Sequence, residues 1–231
     1  MSAQSISGLQ ELLPEDVISQ IREQYASGIK IAERLFEKNS ADEDAVTGAL
    51  GQELTRIGKI PVNVGELLYE VEFDYQKLRG RGAKAPENFT GADGIFQISV
   101  FTCKGEVLFS KGLPFQSKIN WIHRDGNLVT QAKKMQTILR GGIVIDYSSE
   151  GYKTCTASQV IEADGSRSTI EQNHLMHTLE RSICNDFLNC HLGERNLYFN
   201  RQLQRFSLLQ RDARQELHII DTQVVIANDL L

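Results

Sequence analysis

Asp93 stands alone in an apolar neighbourhood, GADGIFQISVF, and Gln116-Ser117-Lys118 closes the next apolar run, VLFSKGLPFQSK. A carboxylate, an amide and an ammonium are the groups a hydrolytic phosphate site uses. Mg²⁺ is a hard ion that takes one or two carboxylates, keeps several waters and lets phosphate oxygens complete its shell. In that role Asp93 is the charged ligand, with the Gln116 side-chain oxygen and the Ser117 carbonyl as neutral ones. A metal-bound water ionises more easily and becomes a better nucleophile. Lys118 would position that water or stabilise charge developing on a scissile phosphate.

For those groups to meet, the two runs must pair. The spacing predicts strands over 94–102 and 107–118, joined by a two-residue turn at Lys104-Gly105. That register sets Cys103 against Glu106 and Asp93 against Gln116. Directly opposed residues have Cβ atoms roughly 4.5–5.5 Å apart. Lys118, two residues beyond Gln116, projects to the same face. Pro114 predicts an irregularity in the second strand.

The elements around the hairpin follow from periodicity. Ile18, Ile21, Tyr25, Ile29, Ala32 and Phe36 form a helical stripe after Pro14. A second helix, EDAVTGALGQELTRIG, is capped by Ser40 or Asp42 and presents Val46, Leu50, Leu54 and Ile57. LLYEVEFDYQKL alternates as a strand, and RGRGAKAPENFTG reads as a loop. LVTQAKKMQTIL predicts a helix, GGIVIDYS a buried strand, and GYKTCTASQVIEA a strand entering a turn. NHLMHTLERSICNDFLNCHLG predicts a periodic helix ending at Gly193, and ELHIIDTQVVIAND a last strand. The order implies a mixed α/β fold: residues 1–40 as an N-terminal helical extension, then one domain over 41–231.

The chain has 231 residues, a net charge of -5 and 41% apolar residues. These totals suit a globular protein and argue against wholesale coating of nucleic acid, though a local basic groove remains compatible with them. There is no apolar run of about 18 residues for a membrane span, and the N-terminus lacks the pattern of a secretory leader. The four cysteines, Cys103, Cys155, Cys184 and Cys190, have no paired framework. The expectation is a cytoplasmic protein with reduced thiols.

At Asp93, Gln116 and Lys118 the chain resembles the PD-(D/E)xK restriction-endonuclease-like superfamily, in particular its Mrr-like Gln-x-Lys variants. The resemblance covers roughly residues 40 to 160. It implies a central mixed sheet flanked by helices and an acid on a preceding helix that supports the metal. That acid maps to Glu43 in ADEDAVTGAL, with Asp44 and Glu53 as alternatives. It further implies an Mg²⁺-dependent endonuclease acting on DNA, with Mn²⁺ as a substitute ion, in defence against phage or foreign DNA. GGIVIDYSSEGYKTCTASQVIEA and DFLNCHLGER also resemble segments of defence-associated nuclease domains. The implied partners are DNA, a second copy of the chain, or a larger complex with a helicase or ATPase subunit. The commonest form of the motif has Glu where this chain has Gln116. A neutral amide weakens metal affinity, so the rival reading is a weak or inactive nuclease-fold module that binds DNA or a helicase-type partner.

Lys77, Arg79, Arg81 and Lys84 in KLRGRGAK are candidates for a phosphate-backbone clamp beside the site, against the simpler reading of a solvated loop. Trp121 and His123 suit either a nucleic-acid groove or ordinary packing. His174, His177, Cys184, Cys190 and His191 do not have the spacing of a usual zinc site. No phosphate-binding glycine loop is present.

Overall fold

The structure is a computed structural model that describes residues 8–78, 89–209 and 216–227. It is an α/β fold with a large mixed sheet flanked by helices. The helices α1 (Glu15–Arg34), α2 (Phe36–Asn39) and α3 (Glu43–Leu54) come first, then strands β1 (Lys59–Val64), β2 (Leu67–Leu78), β3 (Gly94–Thr102) and β4 (Val107–Ile119). Helix α4 (Gly126–Ile138), strands β5 (Ile143–Tyr147) and β6 (Lys153–Thr156), and helices α5 (Ala157–Glu162) and α6 (Arg167–Gln172) follow. The remainder comprises β7 (His177–Thr178), a π-helical turn over Arg181–Phe187, β8 (Glu194–Arg195), β9 (Phe199–Asn200), β10 (Arg205–Phe206) and β11 (Leu217–Ile226). No described helix is long and apolar enough to cross a membrane.

The sheet runs β1-β2-β11-β3-β4-β5-β6-β7, with β8 attached to β4. The last strand therefore lies in the middle, antiparallel to β2 and parallel to β3. Alternation along the strands feeds two cores. Phe96, Ile98, Val100 and Phe115 pack with α1 and α3, whereas Ile95 and Val144 pack with α4, α5 and α6. The segment expected as an N-terminal extension is thus part of the core: Ile18, Ile21, Tyr25 and Ile29 bury against the same cluster as the sheet.

The hairpin reaches the expected register by a different route. The turn closes with Gly105 N–H donating to the Thr102 carbonyl at 2.9 Å, and Thr102 N–H donating to the Glu106 carbonyl at 2.9 Å. Residues 103–105 therefore form a three-residue loop, not the two-residue turn read from Lys104-Gly105. Phe101 pairs with Val107, and a bulge between Val100 and Phe101 shifts the register so that Gly94 pairs with Phe115. One extra loop residue is offset by one bulged residue, a standard effect of a bulge on pairing. Pro114 brings no break. The Phe115 carbonyl faces β3, where it accepts from Asp93 N–H at 2.8 Å, so the Pro114 nitrogen faces the other side. That side lies between the β8 pairing at Lys111–Gly112 and the β5 pairing from Phe115 onward.

Two expectations for the C-terminal half are corrected. The 151–163 segment is a short strand followed by a helix: Thr156 and Gln159 form a capping box that starts α5. The 173–193 helix is reduced to the π-helical turn, with β7 ahead of it. The apolar stripe read there is divided between the two cores. Leu175 packs on the α4 side and Leu179 on the α1 side, because the chain crosses the sheet edge through β7.

Candidate functional site

Asp93 immediately precedes β3, and its backbone is clamped. Its N–H donates to Phe115, and its carbonyl accepts from His218 N–H at 2.8 Å. Gly94 is required beside it: a Cβ there would lie 2.2 Å from the Phe115 ring and 2.6 Å from the His218 carbonyl oxygen. The Asp93 side chain turns to the start of the Gln-Ser-Lys triplet. Its Oδ2 accepts from Ser117 N–H at 2.8 Å, from Ser117 Oγ at 2.9 Å and from the Gln116 side-chain nitrogen.

Glu43 arrives from the opposite direction, in the first turn of α3. Asp42 caps this helix by accepting from Asp44 N–H at 3.2 Å. Glu43 Oε1 lies 3.4 Å from Ser117 Oγ, so one hydroxyl stands between two carboxylates. Thr47, one turn further along α3, approaches Ser117 Oγ at 3.4 Å and the buried Tyr147 hydroxyl at 3.3 Å. This network pins Ser117 from below. Burial, and then the charge of Asp93, raise the Glu43 carboxyl to about 7, while Lys118 and the Ser117 hydrogen bond oppose the rise. A carboxyl poised there can exchange a proton near neutrality.

Lys118 sits at the rim with its side chain 23% exposed, and its nearest acid is Asp125 Oδ2 at 3.7 Å. Asp125 also caps α4, accepting from Leu128 N–H at 2.9 Å. The loop between β4 and α4 is held by Asp146, which accepts from Trp121 N–H at 2.9 Å and from Arg167 at 2.7 Å. Trp121 is buried, and its indole donates to the His123 carbonyl at 2.8 Å, a packing role that leaves no stacking face.

The residues read from the sequence therefore divide as follows. Glu43, Asp93, Gln116 and Ser117 are joined by hydrogen bonds, and Lys118, which pairs with Asp125, lies near enough for its charge to act on Glu43. Gln116 differs from expectation in detail: it gives its amide nitrogen to Asp93, and the Ser117 carbonyl accepts from that same nitrogen at 3.3 Å. In this arrangement the Gln116 amide serves Asp93, and the Ser117 carbonyl is engaged by that amide. Asp44 turns away, accepting from His218 at 2.8 Å and pairing with Lys77. Glu53 faces Arg56. Lys77 is bound by Asp44 and by Glu216 at 2.9 Å, so its ammonium is neutralised locally rather than presented to a phosphate. Arg79, Arg81 and Lys84 lie outside the described residues.

Sequence reasoning missed three members. Thr47 was legible, since it follows Glu43 by one helical turn. The Ser117 hydroxyl was overlooked in favour of its carbonyl. His218 was not legible, because nothing local announces that β11 inserts beside β3. Its ring accepts or donates to Tyr75 at 2.8 Å and to Asp44 at 2.8 Å, and burial depresses its basicity.

Among the described residues no cluster of three or more His, Cys, Asp and Glu could hold a metal ion. The site offers two carboxylates and neutral oxygens, a donor set that suits Mg²⁺ rather than zinc. The fit to a divalent cation rests on Glu43, whose ionisation is opposed by burial and by the neighbouring Asp93 carboxylate, a charge pair that a cation would relieve.

No family model matches the chain, and neither does any curated protein or solved structure.

Proposed function

We propose that the chain is a divalent-cation-dependent endonuclease that hydrolyses phosphodiester bonds in DNA, built on a restriction-endonuclease-like sheet. The observation that carries this reading is the convergence of Glu43 and Asp93 on opposite sides of Ser117, with Lys118 at the rim. Glu43 and Asp93 would hold the cation, Mg²⁺ or Mn²⁺. The ion supplies a more acidic bound water and neutralises phosphate charge. Lys118 would stabilise charge on the phosphate oxygens, and its loose contact with Asp125 leaves it able to turn to substrate. Cutting both strands at once requires two such sites, which a homodimer or a larger complex would supply. Protection against foreign DNA is the biological role that fits this activity.

The test is relaxation of supercoiled plasmid with Mg²⁺ and with EDTA. Cutting with Mg²⁺ alone, lost in both Asp93→Ala and Lys118→Ala, is the expected outcome. Equal cutting by those variants and the parent overturns the reading.

One observation favours a non-catalytic module. Three donors converge on Asp93 Oδ2, so that oxygen is already committed within the protein. A module of this kind binds DNA or a helicase-type partner without cutting. Retention of plasmid on a gel with no nicking in either ion would support it.

A further inference from the structure

Lys111 lies in the middle of β4, on the face that carries Phe109, Leu113 and Phe115, and is 1% exposed. A lysine in an apolar core is costly unless a counter-charge accompanies it. Among the described residues no carboxylate neutralises this one, and Cys190 is the one titratable group that acts on its charge. Its Nζ donates to the Phe187 carbonyl, sits 4.2 Å from the centre of the Phe187 ring and lies 3.3 Å from Cys190 Sγ. The amine thus has three hydrogens, one strong acceptor, one weak sulfur acceptor and a ring face.

Cys190 is held on the same carbonyl. Its backbone N–H donates to Phe187 O at 3.1 Å, and its φ of 62° curls the chain back after the π-helical turn. One peptide oxygen therefore fixes both the nitrogen and the backbone that bears the sulfur. Cys190 is half-buried, so a small oxidant reaches it from solvent while the lysine approaches from the core. Cys155 and Cys184 have no such access: both are buried, and burial pushes each thiol up to about 12.

We infer that Lys111 and Cys190 form an oxidation site that takes up one oxygen atom from a hydroperoxide, giving an Nζ–O–Sγ bridge. The chemistry balances with two molecules of hydrogen peroxide. The first oxidises the thiol to a sulfenic acid and leaves as water. The second oxidises the neutral amine to a hydroxylamine and also leaves as water. The hydroxylamine oxygen then attacks the sulfenic sulfur, and a third water departs with the sulfenic hydroxyl and the hydroxylamine proton. Burial lowers the basicity of Lys111, which favours the neutral amine this sequence needs. The site is independent of the nuclease reading, since neither residue belongs to that carboxylate pair. Its bridge would tie β4 to the chain following the π-helical turn.

The experiment is treatment of the full chain with hydrogen peroxide, tryptic digestion without reductant, and mass spectrometry. The expected result is resistance to cleavage at Lys111 and a joined peptide pair heavier by about 14 Da, one oxygen gained and two hydrogens lost, that separates on thiol reduction. Lys111→Arg should yield Cys190 sulfinic or sulfonic acid and no joined pair. Three results overturn the inference: Cys190 left unoxidised, Cys190 overoxidised in the parent with Lys111 unchanged, or a joined pair that persists in Lys111→Arg.

Discussion

Replacing Glu43 by Gln should stabilise the protein, and only at higher pH. In the native state the Glu43 carboxyl is raised from 4.5 to about 7. Between those values the folded chain binds a proton that the unfolded chain has released. Stability therefore falls as pH rises through this window, and the loss is complete above about pH 7. At full strength such a displacement corresponds to about 3 kcal/mol. Glu43 is partly open to water, and screening reduces the figure to about 1–2 kcal/mol. Gln cannot ionise, yet it keeps an oxygen for the Ser117 hydroxyl. Urea unfolding at about pH 8 should then show Glu43→Gln more stable by about 1–2 kcal/mol, with little difference at about pH 5. A gain of the same size at both pH values, or a loss at the higher one, would refute the claim that burial and Asp93 together oppose the charge.

Two further substitutions test the packing that positions the site. Gly→Ala inside a helix ordinarily stabilises by up to about 1 kcal/mol. At Gly28 of α1 the sign should reverse, because a Cβ there would lie 2.7 Å from the Glu53 carbonyl oxygen and 2.8 Å from the Leu54 Cα. A loss of about 2 kcal/mol in urea midpoint stability is expected for Gly28→Ala. Tyr25→Phe removes the 2.6 Å hydrogen bond to Thr222 Oγ1 across the buried α1–β11 contact. It should cost about 1–2 kcal/mol by thermal or urea unfolding, since the Thr222 hydroxyl stays buried without that partner.

Much of the hairpin was legible because side-chain alternation fixes which residues share a face. Asp93 and the Gln-Ser-Lys triplet came together although the turn was read one residue short, since the bulge at Val100/Phe101 restored the register. That agreement depended on two local irregularities, neither of which the apolar pattern marks. The helix carrying Glu43 was equally plain from its cap and its apolar stripe. Its other two acids could not be ranked from spacing alone. Asp44 is drawn away by His218, a residue of β11 whose central place is a long-range choice of topology. The stretch 173–193 misled for a related reason: its apolar residues repeat at helical intervals but serve two different cores. The orientation of the Gln116 amide follows from Asp93 demanding donors, which only the assembled site reveals.

Calorimetric titration with Mg²⁺ and Mn²⁺, at a pH just below the Glu43 midpoint, tests the carboxylate pair most directly. A cation held by Glu43 and Asp93 must displace the Glu43 proton, so binding should release a measurable fraction of a proton, read as a heat that varies with buffer. Both signals should vanish in Asp93→Ala, and the proton release alone should vanish in Glu43→Gln. Absence of binding to the parent chain, or binding unchanged in Asp93→Ala, would contradict a cation site between these two residues.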